Sequence, residues 1–102
     1  MDERYSDAQI TRIIDQALVY QCACPAQVCT ALLGLRDLHE YQQACSDSSV
    51  EDRRVHDVIA LAASKAHAVL EQCLDDVLAL EQWDLKTLTM PEGLRKRPSK
   101  AL

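Results

Sequence analysis

The residues best equipped for chemistry are the cysteines. Cys22, Cys24 and Cys29 fall within eight positions, and Cys45 and Cys73 follow. Thiolate is the reactive and metal-ligating form of cysteine, and the partial positive charge of a helix N-terminus stabilises it. Pro25 marks such a start. Cys22-x-Cys24-x4-Cys29 together with Cys73 is therefore a candidate tetrahedral thiolate site for zinc or an iron–sulfur cluster, with His67 as a substitute ligand. Two features weigh against it. The spacing is not the C-x2-C of common structural zinc modules, and helix-borne ligands would have to turn their sulfurs to a common centre. Cysteine also packs as a small hydrophobe, among the most buried of residue types. Plain core or surface thiols are thus the leading expectation, ahead of a metal site and a reversible thiol switch.

The histidines offer less. His56, Ala60, Ala63 and His67 share one face of a long helix, with Asp52 four residues before His56 and Glu71 four residues after His67. A His–carboxylate pair at that spacing is half of a transition-metal site. Solvated His–acid pairs are the simpler expectation. No Glu-x-x-His motif is present for a diiron bundle, no nucleophile elbow accompanies the Ser, His and Asp residues, and no Gly-rich loop exists to cradle phosphate. An enzyme ranks last among the function classes.

Three helices must position these groups. The first runs from a cap at Ser6 or Asp7 to about Cys22, with Ile10, Ile13, Ile14, Ala17, Leu18 and Tyr20 on its stripe. The residue before a proline is pushed out of helical geometry, and proline suits the first turn of a new helix. The second helix then spans Pro25 to about Cys45, along Val28, Leu32, Leu35, Leu38 and Gln42. Gly34 within it is expected to mark the close approach of a neighbour. Residues 46–49 form a polar turn, and Ser49 caps the third helix, which runs to about residue 82. Its stripe is Val55, Ile59, Ala62, Ala66, Val69, Cys73, Val77 and Leu80, widened by Val58, Leu61, Leu70, Leu74 and Leu78. Steps of three and four hold these on one side of a helix. After Trp83, Asp84 is placed to cap a short turn, and Met90-Pro91-Glu92-Gly93 ends any helix.

The fold class is accordingly all-α: an up–down antiparallel bundle of three main helices, the third about 33 residues long. Residues 1–94 make a single helical domain and 95–102 a flexible basic tail. Hairpin turns and β-branched, aromatic strand runs are missing. Antiparallel neighbours put residues of the second and third helices level when their numbers total about 96. Cys22, Cys24, Cys29 and Cys73 then gather at one end and Cys45 at the other, His56 is level with Glu40 and His39, and His67 with Cys29.

The net charge of −5 conceals an asymmetry. Four of the eleven basic residues, Arg95, Lys96, Arg97 and Lys100, sit in the last eight positions, leaving seven bases against sixteen acids before them, a balance of −9. Such a body repels nucleic acid and anionic membranes, and no apolar run approaches the roughly 20 residues needed to span a bilayer. The opening MDERYSDAQ lacks a signal-peptide pattern. A cytoplasmic protein with reduced cysteines is expected, and the odd cysteine count forbids complete pairing within one chain. The third helix outruns the second, so Leu74, Val77, Leu78, Leu80 and Trp83 are expected to overhang. Either residues 84–94 fold back over them or a second chain does, and Ala60, Ala63 and Ala66 permit close helix approach. The leading expectation is a small non-enzymatic oligomerisation or protein-interaction module, a homodimer through the long helix with a protein partner as its alternative. A cysteine-based metal or redox-sensing protein is the competing class.

Overall fold

The structure is a computed structural model that describes residues 1–18, 24–45 and 49–91. Three helices follow in order: α1 (Asp7–Leu18), α2 (Cys24–Ala44) and α3 (Val50–Leu80), of 12, 21 and 31 residues. No strand occurs among the described residues, only an isolated bridge between Asp84 and Thr89. The far end of the expected first helix and the basic tail at 95–102 lie outside the described residues.

Local chemistry sets each boundary. Ser6 Oγ accepts from the Gln9 N–H at 3.1 Å while Gln9 Oε1 accepts from the Ser6 N–H at 2.8 Å. This reciprocal pair satisfies two backbone donors that the first turn leaves unpaired. Ser49, in extended geometry, accepts from the Asp52 N–H at 3.1 Å and caps α3. Pro25 lies in the first turn of α2 and is buried. After α3 the chain reverses through Gln82 and Leu88, both at positive φ. Asp84 Oδ1 accepts from the N–H groups of Lys86 and Thr87 and holds the turn between them.

α2 packs against both α1 and α3. The core joins Ile10, Ile13 and Ala17 of α1, Ala26, Cys29 and Leu32 of α2, Leu74 and Leu78 of α3, and Trp83, Leu88 and Met90 of the C-terminal turn. That turn is tied to α1, with Arg12 Nε donating to the Thr87 carbonyl at 3.5 Å and the Met90 N–H to Gln16 Oε1 at 3.4 Å. The expected overhang is thus covered within the chain: Leu74 and Leu78 have no exposed surface and Trp83 has 6%. Of that group only Leu80, at 84%, stands in solvent.

α3 is rotated about its axis from the expected orientation. Its buried residues are Ala60, Ala63, His67, Glu71, Leu74 and Leu78. The stripe read as core faces outward instead: Val55 is 56% exposed and Val69 68%, and Ala62 and Ala66 are exposed with them. Two features explain the choice. Ala60 and Ala63 allow α2 to approach closely, and the polar pair His67 and Glu71 finds partners inside. Gly34 is likewise not a close-approach site. It is exposed, and a Cβ added there would meet nothing within 4 Å.

Candidate functional site

The His67–Glu71 half of the His–acid face of α3 is the centre of a buried polar cluster rather than a solvated surface, whereas Asp52 is exposed and His56 half-buried. The cluster's other member is Arg36 of α2, which the apolar pattern of that helix did not mark. Arg36 is 7% exposed, Glu71 3% and His67 0%. The guanidinium is fully engaged. Nε donates to His67 Nε2 at 2.9 Å, Nη1 to Asp7 Oδ1 at 2.6 Å, and Nη2 to the Tyr5 carbonyl at 2.6 Å and to Glu71 Oε2 at 3.4 Å. Glu71 Oε2 also accepts from the backbone N–H groups of Arg4 and Tyr5, at 2.8 and 3.3 Å. Arg4 and Tyr5 reach on to Asp75, through an ion pair of 2.7 Å and a phenol-to-carboxylate bond of 2.5 Å. That bond and burial push the Tyr5 phenol well above its ordinary range, with burial the larger cause.

The donor-only chemistry of arginine fixes the state of His67. Nε2 must accept, so the neutral ring carries its proton on Nδ1. Nδ1 faces Glu71 Oε1 at 3.7 Å, beyond hydrogen-bonding distance, and has no partner. Burial lowers the pKa of His67, opposed by the Glu71 carboxylate and assisted by the Arg36 guanidinium. Residues 1–6 thus lie as a strap across α2 and α3. A groove of about 520 Å³ separates the strap from α3 beside Ser64, Ala68 and Gln72, and another of about 290 Å³ separates it from α2 beside Leu33 and His39. Chemically the cluster is a pin. Its charges are paired with one another, Arg36 and Glu71 inside and Arg4 and Asp7 at the surface, and it ties the strap, α2 and α3 together. At the other end of α2, His56 Nδ1 lies 2.6 Å from Gln42 Oε1, close to the level that antiparallel packing assigns. His67 meets α2 further along than Cys29, at Arg36.

Cys22 lies outside the described residues. Cys24 opens α2 and is exposed, Cys29 is buried, and Cys45 and Cys73 are intermediate, all four as thiols. Cys29 shares the core cluster with Leu74, so it lies at the Cys73 end of the bundle as expected. Burial pushes its thiol up to about 11, against the lowering that a helix N-terminus would bring. Among the described residues no group of three or more His, Cys, Asp and Glu side chains is placed to hold a metal ion.

What remains is the outer face of α3. Exposed large apolar side chains run along it: Val55, Val58, Leu61, Val69 and Leu80, each at least 56% exposed. Ile59 and Cys73 line the same stripe, half-buried. Among the described residues no helix is long and apolar enough to cross a membrane. Comparison with protein-family models, curated proteins and solved structures finds no match to the chain.

Proposed function

We propose that the chain is a small non-enzymatic helical module that works by association, with the outer face of α3 as its contact surface and a second copy of itself as first partner. The observation that carries this reading is the exposed apolar stripe. Val55, Ile59, Ala62, Ala66, Val69, Cys73 and Leu80 recur in alternating steps of four and three, broken once between Cys73 and Leu80. That is the a/d spacing by which one helix packs along another. The stripe is a second apolar face on a helix that already buries a first. Patches of more than a few hundred Å² mark interaction surfaces in monomeric folds. A strip as long as α3, about 46 Å, and as wide as a helix, about 10 Å, reaches that size.

The polar cluster fits the same reading. A paired, buried arginine ties the strap, α2 and α3 together, whereas the outer face carries an exposed apolar stripe, broken once between Cys73 and Leu80. A cytoplasmic setting suits a chain with thiol cysteines, which persist where reductants are abundant.

Sedimentation equilibrium tests the proposal. The wild type is expected at twice the 11.4 kDa chain mass at micromolar concentration. Val69→Asp, at a position 68% exposed in the single chain, is expected to sediment as a monomer with unchanged helical circular dichroism. A wild type found at 11.4 kDa throughout would refute self-association.

A further inference from the structure

We propose that residues 1–6 form a pH-released latch. The strap is closed over Arg36, His67 and Glu71 at neutral pH, and a proton taken up at His67 Nε2 frees it while the three helices stay packed.

Polar bonds rather than burial hold the strap down. Residues 1–4 and Ser6 are exposed, and of the strap's side chains only Tyr5, half-buried, packs against the core. Arg36 and Glu71 anchor its backbone. The guanidinium donates to the Tyr5 carbonyl at 2.6 Å and pairs with Glu3 at 3.6 Å, while Glu71 Oε2 accepts from the Arg4 and Tyr5 N–H groups. Arg4 and Tyr5 add their contacts to Asp75. The helices are joined by different means: Ile10, Ile13, Leu32, Leu74 and Leu78 have no exposed surface. A segment with few buried apolar contacts opens before such a core does.

Both anchors meet at the buried ring of His67. The neutral ring accepts from Arg36 Nε at 2.9 Å. A proton from solvent on Nε2 removes the lone pair that this bond uses, and leaves two N–H groups and two positive charges face to face. The ring is enclosed within the bundle, so the guanidinium is the group that gives way. Its partner Asp7 is 75% exposed, and its way out to solvent disrupts the bond to the Tyr5 carbonyl. The charged ring also competes for Glu71. Its Nδ1–H, without a partner and 3.7 Å from Glu71 Oε1, gains a charge-assisted bond through a small turn of the carboxylate, at the expense of the strap amides on Oε2. From α3, Glu71 favours the proton, and so does Glu3 of the strap. Arg36 of α2 and the Met1 amino group oppose it, and burial, the largest influence, opposes it too. Release therefore sets in below the ordinary histidine value of about 6.5 and not above it.

Opening joins two grooves. That of about 520 Å³ on the α3 side and that of about 290 Å³ on the α2 side are both lined by Met1. Lifting the strap merges them into one cleft floored by Arg36, His67 and Glu71.

The test is amide hydrogen exchange read by NMR on the full chain, corrected for the intrinsic pH dependence of exchange. Protection of the Arg4 and Tyr5 amides is expected to fall about tenfold or more from pH 7.5 to pH 5, with Leu32 and Leu74 in the helices keeping theirs. In the wild type the fall should share its midpoint with the titration of the His67 ring protons, a comparison that needs no variant. His67→Gln, which keeps an acceptor for Arg36 and takes up no proton, is expected to hold strap protection constant. A strap that stays protected to pH 5, or that loosens equally in His67→Gln, overturns the latch. So does a loss of protection in α2 and α3 at the same pH, which would make the event unfolding of the whole bundle.

Discussion

His67 is the residue at which protonation and folding meet. Four groups act on its ring: Glu71 from its own helix, Arg36 from α2, and Glu3 and the amino group of Met1 from the strap. Its folded pKa lies below the ordinary 6.5 or so, with burial the largest cause. The unfolded chain therefore takes up the proton first. The stabilisation is complete above the unfolded pKa and declines as pH falls through about 6.5 towards the lower folded value. Protonation would also convert Nε2 from acceptor to donor and set it against Arg36 Nε, 2.9 Å away. Urea midpoints are expected to fall from pH 7.5 to pH 5.5 in the wild type. His67→Gln, whose amide oxygen can still accept from Arg36, should show a clearly flatter dependence. Equal slopes in the two proteins would remove His67 from this role. The cluster shows what a hydrophobicity scan passes over. His67 and Glu71 stood out by their i,i+4 spacing, but Arg36 carried no local sign, because its burial depends on what α3 and the strap present to it.

At the scale of the element, α2 carries a residue that works against it. Gly34 lies inside a 21-residue helix, exposed, with nothing within 4 Å of the place a Cβ would occupy. Glycine in a helix interior costs about 1 kcal/mol relative to alanine, through the extra freedom it gives the unfolded chain. Gly34→Ala is therefore expected to raise stability by about 1 kcal/mol and the midpoint of thermal unfolding by about 4–8 °C. A loss of stability would show that α2 needs the glycine for a contact made outside the single chain. The caps were legible from sequence, at Ser6 or Asp7 and at Ser49, because capping chemistry is confined to one turn; that Gln9 closes the first cap was not. Leu88, at φ 53, was not. A leucine enters left-handed geometry there only because its side chain, 6% exposed, is drawn into the core beside Trp83.

For the whole molecule the two faces of α3 make opposite demands, and paired substitutions separate them. Leu78 is fully buried among α1, α2 and the C-terminal turn. Leu78→Asp places an unpaired charge in that core, a change costing several kcal/mol, and is expected to lower or abolish cooperative unfolding whatever the protein concentration. Val69→Asp, on the outer face, is expected to change mass and leave the fold intact. If both variants merely dissociate, Leu78 belongs to an interface and the C-terminal turn does not close the core in solution.

The sequence by itself determined the number of helices, their caps and breaks at Ser6, Pro25 and Ser49, and the existence of apolar stripes, because these depend on backbone geometry and side chains within a turn or two. Only the tertiary structure decided which side of α3 is inside. Its apolar residues are spread around much of the helix, and periodicity identifies a face without saying what it faces. By hydrophobicity alone the Val55–Val69 side is the core. The fold instead buries the side where Ala60 and Ala63 let α2 come close, and where Arg36 and the backbone of residues 4 and 5 pair with His67 and Glu71. A buried charge is tolerated only with its partners in place, and those partners come from segments about 30 and 65 residues away in the chain, beyond the reach of any local pattern.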